Sequence, residues 1–343
     1  MQVQFRPLVR VFAAFLSVLL ITTGLRFARG GVSPAPDFEC TERGAQVSVE
    51  IPQGATGSQV ADLLFKSGVV KSSAAYFRTA VGDSKSAKVA PGGHLLTAPN
   101  CAKGALLQLL DSKRITGLIN IFEGAWNSEI IDAMVSAGFI RTDVVAALKS
   151  VSLPSGFQSA EGLLFPAQYS FAKGSSAKTA IEAMVNRGKS ELEKSGLNSA
   201  NGEYSPAQLL VIASIIQAEG NTEDFRKISR VIRNRLEKGI PLQMDSTVHY
   251  IKKSRGKVFL STASTLLKSP FNTYRNYGLP PSTIGNPGSD ALLASVNPAN
   301  GDWLFFITIA PGDTRFTASL DEFNSFKAIY KKNLGAGLFR SNK

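Results

Sequence analysis

The most informative segment of this chain runs from Ser205 to Gly220 and reads SPAQLLVIASIIQAEG. Ser205 is a favoured N-cap residue, and the proline after it is tolerated because its missing N–H would be unpaired there in any case. Gly220 is a natural end for a helix. The segment therefore predicts one apolar helix that ends at Glu219.

Glu219 lies on the apolar face of this predicted helix. Ile212, Ile215 and Ile216 precede it by seven, four and three residues, a spacing that places all four side chains on one face. Burial and the negative end of the helix dipole both disfavour the ionised carboxylate, so we expect a raised pKa for Glu219. Such a group can serve as a general acid. The common alternative is a solvated or Arg-paired glutamate.

Composition limits the classes of protein to consider. The 343 residues suffice for two or three domains, and a hydrophobic content of 44% indicates that most of the chain folds. The formal net charge of +12 suits nucleic acid, anionic lipid or an anionic polymer. Nucleic acid is the weakest of these, because the sequence has no zinc-finger spacing, RNA-binding aromatic motif or dense basic block. We expect no nucleic-acid partner.

Cysteine and histidine are scarce. The two cysteines, Cys40 and Cys101, could form a disulfide in an exported protein, and two unrelated thiols are the open alternative. The histidines are His94 and His249. Two cysteines cannot form a zinc site alone, and a bound metal is poorly supported by the sequence, so we expect no metal. We also expect no cofactor.

The N-terminus predicts export. Arg6 and Arg10 precede an uncharged apolar run over 11–25, which is short for a membrane span but suits a signal sequence. Small residues near position 30 fit cleavage by a signal peptidase, whereas Arg26 and Arg29 beside them oppose it. We favour a retained single-pass anchor with its N-terminus in the cytoplasm, and a cleaved leader stays open.

The body of the chain mixes helices and strands. After a linker over 31–46, a strand over 47–54 and a helix over 57–67 form a strand–turn–helix unit, and residues 119–136 repeat that pattern. Such units either bind extended polymers or are common local architecture. Further expected elements are a strand within Glu161–Pro166, helices over 145–150, 177–193 and 222–238, strands at 303–309 and around Arg315, and a helix over 320–332. Without regular alternation, the fold class is α+β.

Polar loops follow the glutamate in three clusters, 241–250, 269–274 and 278–288. Each mixes Pro or Gly with Asn, Gln, Asp or Tyr. Amides pair with sugar hydroxyls in two directions, and aromatic faces pack on sugar C–H surfaces. Any one cluster is ordinary turn chemistry, but three beside a candidate acid indicate a site. The candidates for substrate positioning and binding are Gln243, Asp245, Asn272, Tyr274 and Asn286.

Residues 47–332 resemble the YceG-like endolytic murein transglycosylases. The matching stretches are 161–166 with Tyr169, 213–219, 231–236, 242–250, 270–274, 278–281, 284–288, Asn297-Pro298 and 303–306. The resemblance implies a signal-anchor segment over 1–30, a linker over 31–46 and a small LysM-like α/β subdomain over 47–117. A mixed α+β catalytic domain over 118–335 and a tail over 336–343 complete the expected organisation.

The resemblance also implies a function. Glu219 falls on the catalytic glutamate of the family, which cuts the glycan backbone of peptidoglycan. The expected enzyme leaves 1,6-anhydro-N-acetylmuramic acid ends and terminates strand elongation. We expect it to be held in the bacterial inner membrane, with its catalytic domain outside the cytoplasm and peptidoglycan synthases as partners. In this scheme Gln243 and Asp245 position the substrate, and Asn272, Tyr274 and Asn286 contact it.

The chain departs from the family pattern at several positions. Gln217 replaces a second glutamate, which supports a single working acid. Ser282-Thr283 replaces Gly-Pro. Asp313–Phe316 lacks a family histidine, and Phe323 replaces another, so these contacts with substrate would change.

Two other functions remain open from the sequence. An anchored peptidoglycan-binding or scaffolding protein without turnover would share the basic charge and the strand–helix units. A lysozyme-type hydrolase would leave reducing ends and would need a second carboxylate, for which Asp245 is the candidate. Glu161 is expected to hold a loop near the site.

Overall fold

The computed structural model describes residues 35–52, 54–171, 174–199, 202–255 and 260–339. The predicted membrane anchor, residues 1–30, lies outside the described residues. Within the described part of the chain, no helix is long and apolar enough to cross a membrane. The chain divides into two compact units, Met1–Thr116 and Gly117–Lys343.

The N-terminal unit is a three-stranded sheet with helices. Strand β1 pairs antiparallel with β2, and β2 pairs with the short β3. Thr56 begins the first helix with a capping box, in which its hydroxyl accepts from the Gln59 N–H. The elements are β1 (Ala45–Ile51), α1 (Gly57–Lys66), α2 (Ser73–Val81), β2 (Gly92–Ala98), α3 (Ala102–Leu109) and β3 (Ile115–Thr116).

A disulfide joins Cys40 to Cys101, with their Cα atoms 4.5 Å apart. The bridge fastens the segment before β1 to the residue that caps α3. The alternative of two unrelated thiols is therefore wrong. A cross-link of this kind stabilises a small unit mainly by restricting its unfolded chain.

The C-terminal unit is mostly helical, with two small antiparallel sheets, β4–β5 and β6–β7. The mixed α+β class predicted from the sequence is confirmed. The elements are β4 (Leu118–Asn120), α4 (Asn127–Ser136), α5 (Arg141–Ser150), β5 (Gln168–Ser170), α6 (Ala177–Lys194), α7 (Pro206–Glu219), α8 (Phe225–Glu237), α9 (Asp245–Lys252), α10 (Thr262–Thr265), α11 (Ser289–Val296), β6 (Phe305–Ala310), β7 (Asp313–Thr317) and α12 (Leu320–Gly335).

Helix α7 is the centre of this unit. A capping box between Ser205 and Gln208 begins it, and Glu219 ends it, as the sequence predicted. Every residue from Leu209 to Ile216 is buried, so the helix is enclosed on all sides and not only on the isoleucine face. It packs against α8, α9 and α11. The carboxyl group of Glu219 is thus carried by a rigid, enclosed element.

Two local predictions were wrong. The strand expected within Glu161–Pro166 is a turn, and β5 begins after the proline, at Gln168. The backbone N–H groups of Gly162 and Leu164 donate to the side chain of Asn286, so they do not enter a strand ladder. The polar cluster expected to be a loop up to residue 250 instead folds, from Asp245 onward, as α9, where Thr247 and Val248 supply a buried face.

Candidate active site

A cleft of about 450 Å³ lies where the end of α7 meets the start of α9. Both elements contribute to it directly, and Glu219 and Asp245 are among its residues. The lining comprises Glu123, Gly124, Trp126, Gln217, Ala218, Glu219, Asp245, Ser246, His249, Ser254, Arg255 and Ile284.

Glu219 is the partly buried last residue of α7. Its Oε1 accepts the backbone N–H of Ser246, in the first turn of α9, at 3.0 Å. Burial raises the pKa of Glu219, hydrogen bonding by Ser246 partly offsets that rise, and the charge of Asp245 adds to it. The carboxyl group is therefore biased toward its protonated form while it faces a cleft. This matches the requirement for a general acid.

Gly220 permits the close approach of α8 to this end of α7. A Cβ added at Gly220 would lie 2.3 Å from Cδ1 of Ile228. A side chain at this position would require the end of the Ile228 side chain to move. Packing against Ile228 therefore favours glycine here, whereas the extended backbone does not, because any residue could adopt it.

Asp245 and Tyr274 meet beside Glu219. The Tyr274 hydroxyl donates a hydrogen bond to Oδ1 of Asp245. Burial raises the pKa of Tyr274, and the adjacent Asp245 raises it further, so the phenol stays a donor. Asp245 itself is exposed at the first position of α9. The pair places one fixed carboxylate and one hydroxyl next to the candidate acid.

Gln243 orders the loop that leads into α9. Its backbone has a left-handed φ of 54°, and its N–H donates to the Thr273 carbonyl at 3.0 Å. Its side-chain oxygen accepts from Nη2 of the buried Arg235 at 2.8 Å. Gln243 does not line the cleft. Gln243 is exposed, and its contacts place it between Arg235 and the loop that carries Tyr274.

Asn272 was expected to contact substrate, but it is fully buried. Its Nδ2 donates to the carbonyls of Thr265 and Leu267 at 3.0 and 2.8 Å, and its Oδ1 accepts the Tyr274 N–H at 3.0 Å. With these hydrogen bonds made, the amide is directed at its own loop. Asn272 is placed to order the loop that presents Tyr274.

Asn286 requires the same correction, because it too is fully buried. Its Oδ1 accepts from Gly162 and Leu164 at 2.8 and 2.9 Å, and its Nδ2 donates to the carbonyl of Ala125 at 2.8 Å. The side chain thus joins three segments that are distant in sequence. It supports the wall of the cleft and does not line it.

Several lining residues were missed from the sequence. Trp126 and Arg255 form a wall in which the guanidinium lies 4.0 Å from the indole centroid. Arg255 also pairs with Glu129 at 2.6 Å. The residues around Trp126 form no pattern that indicates a site. Trp126 is also more than ninety positions from Glu219, so the sequence gives no sign that the two are close in the fold. His249 could have been found had α9 been predicted, since it follows Asp245 by one helical turn.

Glu161 lies behind the Trp126 wall. Its Oε1 accepts the backbone N–H of Asn127 at 2.8 Å, at the start of α4. Burial raises the pKa of Glu161 to about 7, against the lowering effects of that hydrogen bond, of Lys253 and of a hydrogen bond with Tyr250. The side chain ties the 161–164 turn to α4. Among the described residues, no group of three or more His, Cys, Asp or Glu is arranged to hold a metal ion.

Comparisons with known proteins agree on one family. Residues 49–328 match the profile of the YceG-like family. A Bacillus subtilis (strain 168) protein named endolytic murein transglycosylase is 30% identical over 312 residues, which are 83% of this chain and 84% of that protein. A protein of the same name from Streptococcus pneumoniae (strain D39) is 32% identical over 152 residues, 43% of this chain and 28% of its own length.

A solved structure shares the fold. The crystal structure of a yceG-like protein from Listeria monocytogenes superposes with a TM-score of 0.55 at 25% sequence identity. The match covers 82% of this chain and 98% of that one.

Proposed function

Because the chain belongs to the YceG-like family, we propose that it is an endolytic murein transglycosylase acting on the glycan strands of peptidoglycan. The observation that carries the proposal is the carboxyl group of Glu219. It ends an enclosed helix, has a raised pKa and faces a cleft with polar walls. A protein that only binds glycan has no need for such a group.

The reaction uses Glu219 twice. Its carboxyl group donates a proton to the glycosidic oxygen after N-acetylmuramic acid, and the C1–O bond breaks. The C6 hydroxyl of the same sugar then forms a bond to C1 and gives its proton to the Glu219 carboxylate. The products are a 1,6-anhydro end and a new sugar hydroxyl, and the enzyme regains its proton. No water is consumed.

One acid suffices for this scheme. Asp245 accepts from Tyr274, so we assign it to positioning and electrostatics and not to a second acid–base step. Gln217, where the family usually has glutamate, accepts the backbone N–H of Gly288 at 2.9 Å. A hydrolase with two working carboxylates would need a free partner for Glu219. Tyr274 is not among the lining residues of the cleft, but we retain it as a proposed substrate contact because its hydroxyl is bonded to Asp245 beside the acid.

The cellular setting is part of the proposal. We infer that residues 1–30 form a single-pass anchor in the bacterial inner membrane, with the catalytic unit outside the cytoplasm. The order β1–α1–α2–β2 in the N-terminal unit supports a LysM-like subdomain. Peptidoglycan synthases are the proposed partners, since an enzyme that ends strand elongation acts on their product.

The test replaces Glu219 with glutamine. The Glu219→Gln variant keeps the shape of the side chain and loses the proton, so we expect at least a ~1,000-fold drop in the formation of anhydro ends on purified glycan strands. Glu223→Gln, four residues further along the chain, is the matched control and should keep full activity. Product formation by Glu219→Gln at the wild-type rate would refute the assignment. Strand binding without any turnover by the wild-type chain would favour the scaffolding alternative.

A further inference from the structure

The charge on one part of the chain is strongly one-sided. Between Asp245 and Asp290 the sequence has no Asp or Glu, whereas it has six Lys or Arg. This acid-free segment begins in the first turn of α9, beside Glu219, and continues through α10 and the loop that carries Tyr274. The imbalance therefore lies at the candidate active site and is not spread evenly over the molecule.

The described part of this segment is ordered by its own hydrogen bonds. Lys252 Nζ donates to the Ser264 hydroxyl at 3.1 Å, which joins the end of α9 to α10. Arg275 donates to the Leu266 carbonyl at 3.2 Å. We name the surface formed by Lys252, Arg255, Lys268 and Arg275 the cationic face.

Most of these cations have no counter-ion. Arg255 pairs with Glu129 at 2.6 Å. Lys252, Lys268 and Arg275 form no ion pair with any carboxylate in the described residues. All three are exposed. An unpaired exposed cation is available to an anionic ligand at little desolvation cost.

The position of the face relative to the acid matters. Ser246, in the first turn of α9, contacts Glu219, and Lys252 ends the same helix about 9 Å further along its axis at 1.5 Å per residue. Arg255, just beyond that end, still lines the cleft. A ligand group attached to a strand in the cleft can therefore reach the cationic face.

We propose that the cationic face binds the carboxylates of the peptide stems carried by the glycan strand, so that the substrate is the peptide-bearing strand. This inference rests on the proposed function. The glycan backbone alternates N-acetylglucosamine with a lactyl-substituted sugar. Where the lactyl group is amide-linked to a peptide stem, it has no free carboxylate, and the backbone is neutral. The negative charge of the substrate then resides on the stem carboxylates. Complementary charge of this kind raises the association rate and selects among strands.

The test compares two forms of one substrate. The purified full chain is given uncrosslinked glycan strands with their peptides, and the same strands after an amidase has removed the peptides. The stripped strands carry only the freed lactyl carboxylates, which lie close to the sugar ring, and lack the carboxylates of the stems. We expect a wild-type kcat/KM about tenfold higher on the peptide-bearing strands, and we expect high salt to reduce the preference because it screens exposed charges.

The variant Lys252→Gln/Lys268→Gln removes two of the unpaired cations. It should lower kcat/KM on peptide-bearing strands about three- to tenfold, with a smaller effect on stripped strands. The matched control Lys149→Gln/Lys238→Gln removes the same charge from exposed positions outside the cationic face. The control should keep the wild-type preference.

The outcomes separate this inference from the proposed function. Equal wild-type rates on both strand forms, with anhydro ends formed, would overturn the inference and leave the function intact. Absence of anhydro ends from both forms would overturn both. Leu266 in the same loop is 58% exposed, which would also suit a lipid surface. If the double variant keeps the peptide preference but loses binding to phosphatidylglycerol vesicles, the face contacts lipid and the inference fails.

Discussion

At the scale of single residues, the proton affinity of Glu219 is set by two opposing influences. Burial and the charge of Asp245 raise its pKa, and hydrogen bonding from Ser246 lowers it. The carboxyl group is therefore held by one fixed donor but kept short of full stabilisation as an anion. That balance suits a group that must first give a proton and then take one back.

The pH dependence of activity should report the Asp245 charge. In Asp245→Asn the nearby negative charge is gone, so the pKa of Glu219 falls. The acid form is then lost at lower pH, and we expect the alkaline limb of the kcat/KM profile to move to lower pH. Asp290→Asn, in the first turn of α11, is the control and should leave the profile in place. A shift to higher pH in Asp245→Asn would contradict the account.

The raised pKa of Glu161 should make the stability of the folded chain depend on pH. Its pKa is raised from 4.5 to about 7, so between these values the folded chain binds a proton that the unfolded chain does not. This contribution is fully present below pH 4.5 and is lost as pH rises through about 7, and it amounts to about 3 kcal/mol of unfolding free energy.

The variant Glu161→Gln should remove this pH dependence of the unfolding free energy. Its side-chain oxygen can still accept the backbone N–H of Asn127. The unfolding free energy is measured by chemical denaturation at pH 5 and at pH 8. Tryptophan fluorescence reports the unfolding of the C-terminal unit, because both tryptophans, Trp126 and Trp303, lie there. The stability of the wild-type chain relative to the variant should decline from pH 5 to pH 8. A constant difference would mean that Glu161 is not protonated in the folded chain at pH 5.

At the scale of elements, α8 shows why net charge alone is a poor guide to partners. Arg226, Arg230 and Arg233 donate to the carbonyls of Asn297, Ala299 and Ser295, respectively, at the end of α11 and just beyond it. Helix ends leave such carbonyls without helical partners. These hydrogen bonds stabilise the fold, so the +12 total does not by itself show which cations are placed to meet an anionic polymer.

Loss of one of these arginines should affect stability and not catalysis. Arg230→Met removes a hydrogen bond of 2.6 Å to the Ala299 carbonyl, and we expect a loss of about 1–2 kcal/mol of unfolding free energy. Urea unfolding followed by tryptophan fluorescence measures the change, and Lys238→Met, at the end of the same helix, should change it little. Activity per folded molecule should stay at the wild-type value. A large loss of activity with normal stability would show that α8 contacts substrate.

The elements that local sequence could predict are those with their own start and stop signals. Helix α7 has its cap, its apolar residues and its glycine, and the structure places it where the sequence did. Helix α9 lacks a side-chain cap and follows a proline-containing loop, so its eight residues were taken for loop. The turn at Glu161–Pro166 was mistaken for a strand. Its backbone N–H groups donate to the side chain of Asn286, which is more than 120 positions away and could not be recognised from the local sequence.

The candidate site shows the same limit. Glu219 could be identified from the sequence of one helix. Its spacing from the apolar residues and its position at the helix end can both be read within that segment. The amides of Asn272 and Asn286 had the right chemistry for sugar but are used by distant or neighbouring backbone. Trp126 could not be assigned, because the contact that brings it to the cleft is a tertiary one.

At the scale of the whole molecule, the central claim is that one carboxyl group performs the reaction without water. The most direct measurement is digestion of purified glycan strands in heavy-oxygen water, with mass spectrometry of the new ends. The account predicts 1,6-anhydro ends that carry no heavy oxygen, and almost none from Glu219→Gln. Reducing ends that carry one heavy oxygen atom would show that water attacks C1, and would contradict the account.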